Sequence, residues 1–276
     1  MVRHPMRSLG VLTATIALSV FYSACSTISP GTPASPESLQ FQDRSAQVQQ
    51  LTRKVAERDR ALQSMQTEAV MQYTAPDRHP PRVREQITAK RPDSLRVEAM
   101  SAFSIALILA TSGKHLAIFE PSKNKLVRAA ATADTLNQFI QIPMAPADAV
   151  TLLLGIAPGS ASLADRKPDT IAMEDDMTVA SWTMPPGARR ELGFRDEQLA
   201  MVRERNATGA IEYDVRYSEY QDLGGLMFPY VVDATFPVAQ SHVSFHYKRP
   251  IVNGDVPDST FVLAPPAANQ QANATP

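Results

Sequence analysis

Two histidines of this chain have a spacing that could hold a metal ion. His242 and His246 are four residues apart, and on a helix this spacing brings two imidazoles to one zinc ion. However, the apolar residues Val243, Phe245 and Tyr247 alternate with polar ones, which indicates a strand, where four residues span about 13 Å. We therefore interpret both histidines as solvent-facing and predict no metal site.

The acidic run Glu174-Asp175-Asp176 is a second candidate for chemistry. A calcium loop spaces its oxygen ligands alternately and bends at a glycine, and this run has neither feature. We interpret it as a solvated acidic turn. The sequence also contains no GxSxG, Walker A, GxGxxG or HExxH motif. No catalytic residue and no cofactor is therefore predicted, although an active site assembled from distant residues stays open.

Cys25 is the only cysteine of the chain, which excludes an intramolecular disulfide and a cysteine-rich zinc site. Arg3 and Arg7 precede an uncharged run over residues 9–21, the pattern of a secretory signal peptide, and this run is too short to span a bilayer. The run ends in Tyr-Ser-Ala-Cys, which resembles the bacterial lipobox whose cysteine receives the lipid. Tyr22 departs from the usual leucine of that motif.

These features predict a lipoprotein signal peptide over residues 1–24 and a lipid-modified Cys25. The acyl chains on this cysteine would anchor the mature chain stably in a membrane. Ser26 stands where a retention signal would place aspartate, so we expect an outer-membrane anchor facing the periplasm, with the inner membrane as the alternative. The chain has 27 basic and 28 acidic residues, and no basic stretch outlines a nucleic-acid surface. The other interpretation of Cys25 is a cysteine that lies near a cleavage site by chance.

The elements that follow the anchor can be assigned from apolar periodicity. Residues 25–38 have three prolines and no apolar period, which predicts a flexible tether. An amphipathic helix follows, interrupted on its apolar side by Arg58, with apolar residues at steps of three and four: Val48, Leu51, Val55, Leu62 and Met65. From about Glu68 the period becomes two, which predicts about ten antiparallel strands in one large curved sheet. The tail 264–276 lacks the apolar content to fold.

The clearest strand patterns cover residues 95–99, 107–109, 116–118, 126–128, 178–184, 189–194, 211–218, 226–236 and 242–247, with a last short strand at 261–263. Residues 197–205 fit either a strand or a helical turn.

A helical insert interrupts the strands at about 132–158. Asp134 is the predicted cap of its first helix, and Pro146 and Gly155 suit the first position and the C-terminal cap of its second. Because apolar residues surround most of the second helix, it must be enclosed or dock in a groove.

This pattern on a lipid-anchored chain resembles the LolA/LolB-like superfamily of periplasmic lipoprotein carriers and outer-membrane receptors. The residues that carry the resemblance are Leu109–Gly113 with Leu116–Glu120, and, in the insert, Thr132–Leu136, Phe139-Ile140, Ile142-Pro143, Leu153–Gly155 and Pro158. It implies an α+β domain over residues 39–263: an unclosed antiparallel half-barrel with a helical lid insert and an N-terminal amphipathic helix.

The resemblance further implies an apolar concave face that holds acyl chains of lipoproteins or phospholipids. The expected lining is Leu95, Val97, Leu107, Leu109, Leu116, Ile118, Tyr213, Val215, Phe228 and Tyr230. The expected lid consists of Leu136, Phe139, Ile140, Leu152 and Leu153. The alternative is that the same residues form a dry, permanent core. The chain would then be a scaffolding lipoprotein that binds other envelope proteins.

Overall fold

The computed structural model describes residues 36–76, 81–102, 104–140 and 142–264, with the side chains of residues 36–42 and 140 excepted. The described residues belong to one compact unit that begins at Pro36. The predicted signal peptide 1–24, Cys25, most of the predicted tether and the tail after residue 264 lie outside the described residues.

Four helices occur in the described part of the chain: α1 (Pro36–Ala61), α2 (Ala133–Ile140), α3 (Pro146–Leu153) and α4 (Ser160–Leu163). α1 is the predicted amphipathic helix, but its limits differ from the prediction. It begins at Pro36, before the predicted end of the tether at Ser38. It ends at Ala61, so Leu62 and Met65 follow the helix rather than belong to it. α4, a helix of four residues, is not among the predicted helices.

Thirteen strands form one antiparallel sheet within the described residues. They are β1 (Ser64–Thr74), β2 (Val83–Lys90), β3 (Ser94–Met100), β4 (Ile105–Ser112), β5 (His115–Glu120), β6 (Lys125–Ala130), β7 (Thr170–Glu174), β8 (Met177–Met184), β9 (Ala188–Arg195), β10 (Gln198–Arg205), β11 (Ile211–Asp222), β12 (Met227–Phe236) and β13 (Ser241–Val252). Their spatial order is β6-β5-β4-β3-β2-β1-β13-β12-β11-β10-β9-β8-β7, so β6 and β7 are the two edges. The predicted antiparallel sheet that does not close into a barrel is confirmed.

The number and the limits of the strands differ from the prediction. Strands β1, β2 and β7 were not predicted individually, and the strand predicted at 261–263 is wrong, since Asp258–Phe261 is a 3-10 turn. The segment left open between strand and helical turn is strand β10. The long pairing of β1 with β13 joins the first strand of the sheet to the last, so the sheet consists of two meanders that meet there.

The helices cover different parts of the sheet. α1 packs against α4, β7 and β10, and its residues Val48, Leu51 and Val55 are buried in the main core. The same core contains Trp182 of β8, whose side chain is fully buried. α3 packs instead over β2 and β3. α1 therefore covers one end of the apolar face of the sheet, and α3 of the insert packs over the other end.

Candidate functional site

A cavity of about 620 Å³ lies between the insert and seven neighbouring strands. Strands β1 to β4 and β11 to β13 all contribute to it, although β4 and β11 are six positions apart in the sheet. The sheet must therefore curve around the cavity. Side chains of α2, α3 and the connection between them border the remaining side, and the cavity is partly open to solvent.

The apolar lining follows from strand alternation, because every second residue points to the same face. Cross-strand pairs such as Val97 with Leu109, and Ala99 with Leu107, keep this face continuous from strand to strand. The described apolar residues that line the cavity are Met71, Ile87, Leu95, Val97, Ala99, Leu107, Leu109, Leu136, Ile142, Met144, Ala149, Leu152, Leu153, Val215, Val232, Ala234, Phe236, Val243 and Phe245. Only Tyr73 and Glu85 add polar groups to the described lining.

Half of the expected lining residues lie at the cavity: Leu95, Val97, Leu107, Leu109 and Val215. The other five lie elsewhere: Leu116, Ile118, Tyr213, Phe228 and Tyr230. Leu116 and Ile118 belong to β5, one strand beyond the cavity, and pack in a separate buried cluster with Leu109. Phe228 is fully buried, with its ring centroid 6.1 Å from that of Tyr247.

The remaining two tyrosines of the expected lining are not cavity residues either. Tyr213 is buried in the main core, where burial raises the pKa of its hydroxyl group above the ordinary value. Tyr230 is half-buried on β12. The lining positions that were not predicted lie on β1 and β2, on the inward residues of β12 and β13, at Ala99 of β3, and at Ile142, Met144 and Ala149 of the insert.

The C-terminal end of α3 is fixed to the sheet by hydrogen bonds. The hydroxyl group of Tyr217 donates to the carbonyl oxygen of Leu152 at 3.1 Å, and that of Tyr247 donates to the carbonyl oxygen of Leu153 at 3.0 Å. The guanidinium group of Arg58 on α1 donates to the carbonyl oxygen of Gly155. The two tyrosines therefore reach the last two carbonyl groups of the helix, of which that of Leu152 also accepts the amide of Gly155 at 2.9 Å, and Arg58 binds the segment just after the helix.

Both predicted ends of α3 are confirmed. Pro146 occupies the first turn, and Gly155 follows the helix with φ +70°. A Cβ atom at Gly155 would lie 2.5 Å from Cγ of Pro229, so both the backbone conformation and the close approach of β12 require glycine here. The end of α3 therefore packs directly against the sheet, and the helix is enclosed as its apolar circumference predicted.

α2 is held less firmly than α3. Its N-terminal cap is Thr132, whose hydroxyl oxygen accepts a hydrogen bond from the amide of Thr135 at 3.2 Å, so the predicted cap at Asp134 is wrong. Leu136 is buried and lines the cavity, whereas Phe139 is 38% exposed. The side chain of Ile140, the remaining lid residue on this helix, lies outside the described residues. Of the expected lid, Leu136, Leu152 and Leu153 reach the cavity.

Glu85 is the unexpected residue of the site. It lies on β2 between Ala69 of β1 and Ala99 of β3, and only 4% of its surface is exposed. Its Oε2 atom has no hydrogen-bond partner among the described residues. Burial raises the pKa of this carboxyl group to about 7 because the charged form is poorly solvated there. The alternation of β2 could have predicted an inward position for this side chain, because Glu85 falls on the same face as Ile87 and Ala89.

The acidic run Glu174-Asp175-Asp176 has a structural role. Asp175 and Asp176 form the turn between β7 and β8 with positive φ angles. The carboxylate of Glu174 accepts a hydrogen bond from Arg203 at 2.7 Å, which lowers the pKa of this carboxyl group. Arg203 also pairs with Glu191 of β9 and with Asp214 of β11. This network ties four strands together.

The candidate metal ligands lie away from the cavity lining. His242 is on β13 with Nε2 3.5 Å from a carboxylate oxygen of Asp233, and His246 is exposed on the same strand. In the part of the chain that the structure describes, no group of three or more His, Cys, Asp or Glu side chains is placed to hold a metal ion. No helix within the described residues has the length and apolarity needed to cross a membrane.

Comparison with known proteins identifies the fold. No family model and no curated protein matches the sequence. A DUF1329 family protein from Desulfovibrio piger is similar in structure, with a TM-score of 0.55 and 10% identity, and the match covers 78% of this chain and 95% of that one. A putative outer membrane lipoprotein-sorting protein domain from Vibrio parahaemolyticus has a TM-score of 0.51 and 7% identity, over 77% of this chain and 95% of that one.

A LolA superfamily protein from Nitrosomonas europaea is similar at a TM-score of 0.49 and 16% identity, with 77% of this chain and 97% of that chain covered. At such identities a likeness shows the fold alone. The matches with TM-scores above 0.5 cover 77–78% of this chain and 95% of each neighbour.

Proposed function

We propose that this chain, which has a LolA/LolB-like fold, binds the acyl chains of lipoproteins or lipids in the cavity between its sheet and its helical insert. The observation that carries the proposal is the apolar cavity of about 620 Å³. A core that served stability alone would be filled, since protein interiors pack as densely as organic crystals. An unfilled apolar space of this size is typical of a ligand site, for which about 300–1,000 Å³ is usual.

The size of the cavity suits one hydrocarbon chain. At about 30 Å³ for each water-sized group, the volume corresponds to roughly 20 such groups. Moving an acyl chain from water into apolar surroundings gains about 0.8 kcal/mol per CH₂ group. In a site with this apolar lining, the affinity therefore grows with the length of the acyl chain, and few directional contacts are needed.

The helices of the insert have different roles in this proposal. α3 is the fixed wall, because Tyr217, Tyr247 and Arg58 hold its C-terminal carbonyl groups. α2 and the connection to α3 form the movable part of the lid. The exposure of Phe139 supports this assignment. Displacement of α2 would move Leu136 away from the cavity and open a path for the acyl chain.

The membrane attachment belongs to the proposal and rests on the sequence. A lipid-modified Cys25 would hold the folded domain at the outer membrane on its periplasmic side, where lipoproteins or phospholipids are the available sources of acyl chains. A role in lipoprotein sorting is supported by the description of the Vibrio neighbour and by the shared fold. The proposed role is binding and transfer, without a catalytic step.

Uptake of a neutral apolar fluorophore tests the proposal. The full chain carrying Cys25→Ser is titrated with N-phenyl-1-naphthylamine, and we expect saturable binding at one site. Ala99→Phe places a ring at the cavity wall and should weaken this binding, whereas Ala172→Phe on the exposed side of edge strand β7 should leave it unchanged. No saturable binding by the folded protein would contradict the proposal and favour a scaffolding role with a sealed core.

A further inference from the structure

Glu85 places a carboxyl group at a cavity whose one other polar lining residue, among those described, is Tyr73. Its two cross-strand neighbours, Ala69 and Ala99, have no side-chain donor. The Oε2 atom is buried without a partner among the described residues. A buried carboxylate oxygen without a partner costs free energy, so its presence at a cavity wall needs an explanation other than stability.

The cavity wall around Glu85 is almost entirely apolar. β1 contributes Met71 and Tyr73 to the lining, β13 contributes Val243 and Phe245, and α3 contributes only apolar side chains. Burial raises the pKa of Tyr247 on β13, and the nearby charge of Glu85 adds to this rise. Among the described residues that line the cavity, none is Lys, Arg or His, so no cation of the protein offsets a charge on Glu85 there.

This charge distribution selects among ligand head groups. An anionic head group such as a carboxylate or a phosphate would meet an acidic side chain without a compensating cation. A hydroxyl group would supply one neutral hydrogen bond. An ammonium group would supply both a hydrogen bond and the missing opposite charge, and charge-assisted hydrogen bonds are about twice as strong as neutral ones.

We propose that Glu85 is the head-group contact of the cavity and receives the ammonium group of a long-chain amine, whose alkyl chain lies along the apolar lining. The inference rests on the proposed function, since it presumes that a hydrocarbon chain enters the cavity. The raised pKa of Glu85 agrees with it, because a cation beside the carboxylate would stabilise the charged form that burial disfavours.

Three ligands of equal chain length test the inference by displacement of N-phenyl-1-naphthylamine: dodecylamine, dodecanol and dodecanoate. At about pH 8, with ligands below their micelle-forming concentrations, we expect dodecylamine to bind about tenfold more tightly than dodecanol, and dodecanoate to bind most weakly. Glu85→Gln should remove the preference for the amine and leave the affinity for dodecanol within about twofold. Glu212→Gln, which neutralises an exposed carboxylate on β11, should behave like the unaltered chain.

Equal affinities for the amine and the alcohol in the unaltered chain would overturn the inference, and so would a preference that survives Glu85→Gln. The proposed function would still stand if the fluorophore and dodecanol bind. If neither binds, both proposals fail.

A measurement on the unaltered chain covers the case in which Glu85→Gln does not fold. Calorimetric titration in two buffers of different ionisation enthalpy counts the protons released on binding. At about pH 6, where Glu85 is mostly protonated, dodecylamine should release close to one proton and dodecanol none. Absence of proton release with dodecylamine would overturn the inference.

Discussion

The hydroxyl group of Tyr217 donates a hydrogen bond to the main-chain carbonyl oxygen of Leu152 at 3.1 Å, and thereby joins strand β11 to the end of helix α3. The side chain of Leu152 lines the cavity at the same point. One residue thus forms part of the binding surface while its main chain is held by the sheet. The cavity has a rigid wall at α3, and any opening must come from the rest of the insert.

Tyr217→Phe should destabilise the protein while it keeps the aromatic packing. The carbonyl oxygen of Leu152 would lose the Tyr217 hydroxyl and keep the amide of Gly155 as a donor, so the cost should be that of one hydrogen bond, about 0.5–1.5 kcal/mol. Denaturant unfolding followed by the fluorescence of Trp182, the single and fully buried tryptophan, measures the change. Tyr230→Phe is the matched control, because the Tyr230 hydroxyl makes no hydrogen bond to a described residue. Equal losses in both variants would contradict the anchoring role of Tyr217.

Gly155→Ala should destabilise the protein more than Gly224→Ala. Both glycines have φ +70°, so the conformational strain of about 1–2 kcal/mol is common to the two substitutions. Only at Gly155 would the new Cβ atom collide with Pro229, whereas nothing lies within 4 Å at Gly224. The difference between their unfolding free energies therefore isolates the contact of α3 with β12. A difference near zero would show that this contact relaxes without cost.

Glu85 should make the protein less stable as the pH rises. Its pKa is raised from 4.5 to about 7 in the folded state, so the folded protein holds this proton more tightly than the unfolded chain does. The stability linked to this group is complete below about pH 4.5 and is lost as the pH rises through about 7. Glu85→Gln cannot titrate, and relative to the unaltered chain it should gain up to about 3 kcal/mol between about pH 5 and pH 8. Unfolding curves at a series of pH values check this, and parallel pH profiles would contradict it.

The amides of α2 should exchange with solvent deuterium faster than those at the C-terminal end of α3. The reason is that Tyr217 and Tyr247 hold α3, while α2 has one exposed face at Phe139. Mass spectrometry of peptides from the two helices measures the rates. Addition of N-phenyl-1-naphthylamine should alter exchange in α2 and leave α3 unchanged. An α3 that exchanges as fast as α2 would show that the whole insert moves together.

Much of the sheet could be predicted because its strands alternate strongly. Leu95, Val97 and Ala99 are separated by charged residues, and Pro146 and Gly155 mark the ends of α3 by conformational rules that act locally. β1 was harder to recognise, since its inward residues include Thr67 and Ala69, which give little apolar contrast with their neighbours.

The contacts that build the site depend on distant residues. Arg58 was interpreted as an interruption of the apolar stripe of α1, yet its guanidinium group binds the carbonyl oxygens of Gly155 and Met227. Alternation places Glu85 on the face of Ile87 and Ala89, but it does not show that this face lines a cavity. The role of each residue is set by which elements lie across from it.

Native mass spectrometry tests the central claim most directly. The folded Cys25→Ser chain is incubated with a bacterial lipid extract, separated from free lipid and measured intact. We expect an adduct of one acyl-chain-bearing molecule per protein, much reduced in Ala99→Phe and retained in Ala172→Phe. A folded protein without any adduct would contradict the claim that this space holds a hydrocarbon chain. An adduct as abundant in Ala99→Phe as in the chain with the unfilled cavity would contradict it as well.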